Sequence, residues 1–169
     1  MCQYLPTGGF EWVPCETESP DYWRDFILNQ KDEQEEGYIF ECDLEYPKEL
    51  HDMHDTYPLA PEHMDIKEEM LSLYQQDQAR KLKIKVGGGK LCLTLKDKAN
   101  YITHYRNLKQ FLKLGLKIKK VHNVLKFKQS PWLKSYIDLN TQLRKKGLSK
   151  FEQDFAKLMN NSFFGKVKL

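Results

Sequence analysis

Residues 130–166 read SPWLKSYIDLNTQLRKKGLSKFEQDFAKLMNNSFFGK, and their punctuation specifies two helices. Ser130 before Pro131 offers an N-cap followed by proline at the first helical position, so the spacing predicts a helix over residues 131–146. Gly147 ends it. Ser149, Lys150, Phe151 and Glu152 form a capping box, which starts a last helix reaching about Phe163. On that helix Phe151, Phe155, Leu158, Met159 and Ser162 recur at helical spacing and predict an apolar face to be buried. Lys157, Asn161 and Phe164 recur at i, i+4, i+7 on a different face, over about ten ångströms of helix. A cation for phosphate, an amide for hydrogen bonding and a ring for stacking suit a nucleotide. On a generic amphipathic helix the same Lys and Asn would simply face solvent. Arg144, Lys145 and Lys146 add cations at the end of the preceding helix, where the helix dipole favours them in any case.

Working outward, the 169 residues are 40% hydrophobic and 30% charged, which describes an ordinary globular chain of one domain's length. No apolar run approaches the roughly 18 residues of a spanning helix, so no membrane segment is expected. The start, MCQYLPTGGFEW, lacks a cationic stretch followed by an apolar run, so no secretory signal is expected. The cysteines at 2, 15, 42 and 92 form no C-x-x-C pair, which argues against a disulfide framework or a zinc knuckle. An intracellular, reducing setting is the corresponding expectation.

The net charge of +3 hides two blocks. Residues 1–77 hold 20 Asp/Glu against 4 Lys/Arg, whereas residues 78–169 hold 4 against 23. Such asymmetry fits a basic face for a polyanion beside an acidic region that holds metal or faces solvent. It equally fits two oppositely charged surfaces packed on one another.

Residues 1–36 are mostly turn-formers and acids, with Trp12, Trp23, Phe26 and Ile27 as docking anchors and residues 32–36 as a solvated linker. Gly37 breaks into YIFECD (38–43), a strand-like run ending on an acid. Pro47, Pro58 and Pro61 make residues 44–64 an irregular connection. Met70, Leu71, Leu73 and Tyr74 predict a helix running on from Ile66. The glycines at 87–89 mark a turn and not a P-loop, because no Gly-Lys-Ser/Thr follows. LCLTL (91–95) and NYITHY (100–105) read as strands, and RNLKQFLKLG (106–115) as a helix stopped by Gly115. LKIKKV (116–121) and VLKFK (124–128) alternate apolar residues with lysines, so they read as two strands with one core face and one cationic face. These elements specify an α/β or α+β chain closing on a helical hairpin.

The segment from Lys157 through Asn161, Ser162, Phe164 and Gly165 resembles the K-x-x-x-N-S-x-Y-G motif of family B DNA polymerases. The resemblance is to the protein-primed branch, found in phages, adenoviruses, linear plasmids and large self-synthesising DNA transposons. Four of the motif's five fixed positions match, with Phe164 in place of the tyrosine. Asp43-Leu-Glu-Tyr46-Pro47 is similar to the family's first carboxylate motif, D-x-x-S-L-Y-P, and the two motifs stand in the family's order. The resemblance covers about residues 38–169. It implies an α+β fold with an acidic N-terminal segment (1–37), a partial palm with a basic insertion (38–129) and a two-helix fingers hairpin (130–169).

The resemblance further implies nucleotidyl transfer with two magnesium ions roughly 3.5–4 Å apart. Asp43 would be a metal ligand, assisted by the backbone carbonyl of Leu44. Lys157 would hold the incoming deoxynucleoside triphosphate, with Arg144 or Lys145 as a second phosphate contact. Asn161, Phe164 and Gly165 would line the sugar and nascent base pair, and Tyr46 would stand at the nucleotide. Primer–template DNA and a terminal priming protein are the implied macromolecular partners. The lysine-rich stretch 81–128, with Tyr101, Tyr105, Phe111 and Phe127 among its cations, suits backbone contacts to DNA or to the priming protein. Three departures stand out. Tyr46 follows Asp43 by three residues and not five, Phe164 lacks the phenol, and the second carboxylate motif, Y-x-D-T-D, is absent. A palm–fingers fragment that does not polymerise alone is therefore expected. The alternative is a non-catalytic nucleic-acid-binding relic of a transposon or viral polymerase. His51-Asp-Met-His54-Asp55 offers a lesser metal-binding candidate, read more simply as a polar loop, and His104 and His122 read as isolated.

Overall fold

In the computed structural model, residues 3–147 and 149–166 are described, with side chains as far as Phe163. Strand β1 (Leu5–Val13) and helix α1 (Pro20–Asn29) precede strand β2 (Glu36–Glu45). Strand β3 (Glu62–Asp65), helix α2 (Leu73–Lys81) and strand β4 (Gly89–Cys92) come next. Strand β5 (Lys98–His104), helix α3 (Tyr105–Lys113) and strand β6 (Lys117–Ser130) lead to helices α4 (Lys134–Lys146) and α5 (Lys150–Lys166). The strand order is β1-β6-β2-β5, and β3 and β4 form a separate antiparallel pair. The chain is thus mixed α+β. It divides into two compact units, one of Met1–Pro14, Asn29–Ile39 and Asn123–Leu169, the other of Cys15–Leu28 and Phe40–His122.

The second unit is organised by the period-two alternation of β2. Phe40, Cys42 and Leu44 are fully buried and Tyr46 continues the same face, while Glu41, Asp43 and Glu45 occupy the half-open face between them. Helix α1 covers core through Trp23 and Ile27, with the Trp23 ring edge-on to Phe40 at 5.7 Å. Burying a side chain such as Ile27 or Leu44 contributes about 1.5–3 kcal/mol. Tyr105 and Leu108 anchor α3 in the same core. That helix stops as expected at Gly115, whose φ of +103° closes a Schellman pair, Leu116 N–H to Phe111 O and Gly115 N–H to Leu112 O, both 3.1 Å. A Cβ there would also lie 2.8 Å from Leu50 Cδ1.

Several local expectations shift. Residues expected to be turn-formers carry β1 and α1. The helix expected from Ile66 begins only at Leu73, because Ser72 caps it in a capping box with Gln75 and the preceding residues take a 3-10 turn. Part of the connection read as irregular is β3, held by pairing from Glu62↔Cys92 to Asp65↔Gly89. The two lysine-alternating runs are one 14-residue strand, β6. Its buried apolar positions Ile118, Val121, Val124 and Phe127 fall at intervals of three, so the inward side changes along the strand and a period-two reading sees two pieces.

In the first unit β1 pairs antiparallel with β6 from Leu5↔Ser130 to Val13↔Val124, with register shifts around Gly8. Gln129, itself buried, donates from Nε2 to the carbonyls of Gln34 and Glu36 at 2.9 and 3.2 Å. Gly37 is not a breaker. It lies inside β2 because Phe127 packs onto its α-carbon, and a Cβ there would sit 2.3 Å from Phe127 Cε2. Gly37→Ala is therefore expected to lower stability by about 1–3 kcal/mol through overpacking, read as a reduced urea midpoint at unchanged slope.

The closing helices pack as an antiparallel-type hairpin of short connection, and the capping box at Ser149 forms, with Ser149 N–H to Glu152 Oε2 at 3.0 Å and Glu152 N–H to Ser149 Oγ at 3.2 Å. The buried stripe differs from the expected one. Ala156 is buried, and Met159, Asn160 and Phe163 face α4 through Tyr136 Oη–H to Met159 O, Asn140 Nδ2–H to Asn160 Oδ1 and a Trp132–Phe163 ring contact. Phe151, Phe155 and Leu158, expected in the core, are 77%, 53% and 58% exposed. Buried Ala156 and the Asn140–Asn160 pair mark the line along which the two helices meet, and the larger apolar residues lie outside it.

Candidate functional site

Asp43 stands near the end of β2 on the half-open face, because the alternation that buries Cys42 and Leu44 turns its side chain the other way. Its Oδ1 accepts the backbone N–H of Asn100 at 2.8 Å. Asn100 reaches it from a left-handed conformation, φ +49°, which asparagine tolerates better than most residues. His122 Nε2, on β6, lies 2.9 Å from the same Oδ1. The contact is an ion pair when the imidazole is protonated. The Asn100 amide first, then His122, holds the Asp43 carboxyl below the usual carboxylate range, and Lys120 adds a smaller attraction. Asp43 is thus a pre-oriented anion with both contacts on one oxygen.

Three residues onward, the backbone N–H of Tyr46 donates to Asp97 Oδ1 at 2.8 Å, and Lys119 Nζ meets Asp97 Oδ2 at 2.6 Å. The Lys119 contact first, and then the Tyr46 amide, lowers the Asp97 pKa. Asp97 and Asn100 therefore hold the end of β2 from both directions, side chain to amide and amide to side chain. A depressed carboxyl stabilises the fold above its unfolded pKa near 4, and that contribution disappears as pH falls through the lower folded value. Asp97→Asn is expected to lower the melting temperature at pH 7 by up to about 3 °C, and the difference from the parent chain is expected to shrink as pH is lowered below about 4. Thermal melts across this pH range check this.

Tyr46 itself is a core residue. Its hydroxyl accepts the Leu59 N–H at 3.1 Å and contacts His54 Nδ1 at 2.8 Å, while His51 and His54 set their rings edge-on to it. The H-x-x-H-D loop therefore packs around Tyr46, and among the described residues no three His, Cys, Asp or Glu side chains converge as a metal-ligand set. Leu44 buries its side chain completely, so only its backbone could serve in the role expected of it.

The second group lies on the hairpin. Arg144, Lys145 and Lys146 end α4, and Lys157 and Asn161 share an exposed face of α5. Among the described residues none of these four cations makes an ion pair, whereas Lys134 pairs with Asp138 and Lys150 with Asp154. Phe164 and Gly165 lie outside the described side chains. Of the aromatic residues expected to face DNA, Tyr105 and Phe127 are buried in packing, and Tyr101 donates its hydroxyl to Pro61 O at 3.1 Å. The lysines at 81, 83, 85, 90 and 96 are exposed.

Sequence reasoning missed Asn100, Asp97 and His122. His104, also read as isolated, caps α3 by accepting the Arg106 N–H. No described helix is long and apolar enough to cross a membrane. Comparison with known proteins adds one finding. The family model for DNA polymerase type B, organellar and viral, matches residues 13–167, and no curated protein and no solved structure matches the chain. That match spans nearly the whole sequence and includes both motif segments. The chain belongs to the type B DNA polymerases of organelles and viruses.

Proposed function

We propose that the chain contributes to DNA-directed DNA synthesis, the transfer of a nucleotidyl group from a deoxynucleoside triphosphate to a primer 3′-hydroxyl. The observation that carries this reading is Asp43, a pre-oriented carboxylate on the half-open face of β2, in the segment similar to the family's first carboxylate motif. Hard carboxylate oxygen suits magnesium, and Asp43 with the Leu44 carbonyl would hold it. Bound magnesium would polarise the primer hydroxyl and offset triphosphate charge. Lys157, with Arg144 or Lys145, binds the triphosphate in this reading, and their lack of ion-pair partners among the described residues supports it. Asn161, Phe164 and Gly165 line the sugar and base. Tyr46 enters through the strand end that its buried ring anchors.

In the same reading residues 38–129 are palm with a basic insertion and 130–169 are fingers, while 1–37 form an acidic N-terminal segment. The exposed lysines of the insertion contact primer–template, and a terminal priming protein is the further partner. The second carboxylate comes from outside these 169 residues, so the chain binds substrate without extending a primer. Titration of the purified chain with a fluorescent dATP analogue tests the reading. Binding is expected with Mg2+, lost with chelator, and displaced by dATP but not by adenosine. Binding of primer–template DNA with no Mg2+-dependent nucleotide binding would identify a nucleic-acid-binding protein instead.

A further inference from the structure

We propose that the apolar cleft between α4 and α5 binds unpaired bases of single-stranded DNA, with Phe151 and Phe155 as its stacking platform. The inference rests on the reading of the hairpin as an element that handles DNA, and it adds a site on another face of α5 from Lys157 and Asn161. Phe151 and Phe155 stand one helical turn apart, their rings inclined by only 20° with centroids 6.2 Å apart. Both are more than half exposed, as is Leu143 on α4. Together they border a cleft of about 400 Å3, whose lining also includes Asn140, Ala156 and Met159. Contiguous exposed apolar surface rimmed by polar groups marks a binding site. Rings held nearly parallel suit flat ligands, and every base has a π-face to offer them.

The charge around the cleft selects the occupant. Lys146 lines it, and Arg144 and Lys145 precede Lys146 on the last turn of α4. All three are exposed and make no ion pair among the described residues, so they are available to phosphate. Glu152, the acid in the lining, is engaged by the Ser149 amide in the capping box. An acidic peptide satisfies the cations without needing two parallel rings. A duplex satisfies them too, but its bases are already stacked on one another. A single strand uses both features: its phosphates meet the cations and its bases leave water for the rings. The site therefore discriminates strandedness and not sequence.

The test is fluorescence anisotropy of the purified chain with a labelled oligothymidylate of about twelve residues, an abasic strand of equal charge and a blunt duplex. The parent chain is expected to bind the oligothymidylate about tenfold tighter than the abasic strand, the value of stacking one or two bases. Phe155→Leu keeps apolar volume without the ring and erases that preference, whereas Phe155→Trp retains it. Phe151→Leu behaves like Phe155→Leu, neither changes duplex binding, and far-UV circular dichroism confirms that each variant keeps its helices. Lys146→Gln weakens both single strands alike and lowers the salt slope by about 0.7, the value of one phosphate contact. The dATP-analogue titration, run in parallel, is unchanged by the Phe151 and Phe155 variants. Equal affinity for the base-bearing and abasic strands, or a preference that survives both leucine variants, would overturn the stacking site. If Mg2+-dependent dATP binding persists in that case, the polymerase reading stands. If the chain binds neither the strands nor the dATP analogue, both readings fail. A parent dimer that Phe155→Leu converts to monomers, with strand binding unchanged, would assign the cleft to self-association and overturn the proposal.

Discussion

Asp43→Asn abolishes Mg2+-dependent nucleotide binding: the expected loss is at least a hundredfold, measured with the fluorescent dATP analogue. The substitution is isosteric, and the new side chain keeps an oxygen for the Asn100 amide, so the loop 97–100 stays in place. What disappears is the negative charge that a hard dication requires. The stability cost is small by comparison, because one partly buried contact to His122 is lost and the core residues on the opposite face of β2 are untouched. Lys157→Ala in the same assay separates the two halves of the reading. It is expected to weaken the triphosphate about tenfold to a hundredfold, the value of one or two charge-assisted contacts, while leaving metal affinity unchanged. An Asp43→Asn chain that still binds nucleotide in a Mg2+-dependent way would end the assignment of Asp43.

How far the sequence discloses such a site depends on the range of the interaction involved. Capping chemistry is local, and Ser149 with Glu152, and Gly115 with its φ of +103°, do what their neighbours in sequence indicate. The alternation of β2 is also local, which is why the placement of Asp43 beside a buried Cys42 and Leu44 is legible. Asn100 and Asp97 are not, because they reach β2 across 57 and 51 residues through strand pairing. His122 comes from still farther along the chain, on a strand whose changing inward side conceals its continuity. The closing helix shows another limit. Its hydrophobic residues define two possible stripes, and only the partner helix, meeting Ala156 and Asn160, decides which one is buried. A nucleotide role for Lys157 rests on resemblance, since periodicity alone assigns this exposed residue to solvent.

Glu62→Gln tests the frame behind Asp43 and is expected to have the largest effect on stability. Lys98 is 1% exposed at its side chain, and its ammonium meets Glu62 Oε1 at 2.9 Å, Thr94 O at 3.2 Å and Thr94 Oγ1 at 2.5 Å. All three N–H donors are therefore satisfied, but Glu62 supplies the countercharge. Glutamine keeps an acceptor and removes that charge, leaving a buried ammonium among neutral oxygens. Breaking a buried pair in this way costs about 3–5 kcal/mol when both partners are enclosed; Glu62 is 29% exposed, so about 2–4 kcal/mol is expected. In a chain of this length that lowers the melting temperature by about 5–12 °C. Lys98→Met should cost less, because the abandoned Glu62 can hydrate and the methionine fills the space of the lysine stem. The order of the two variants is the diagnostic result. If Lys98→Met proves the more damaging, the lysine acts through packing and its charge is incidental. If Glu62→Gln is worse, and adding Lys98→Met to it restores stability, the buried charge pair holds β5 against β3, immediately beside the Asp97 and Asn100 contacts that fix the end of β2.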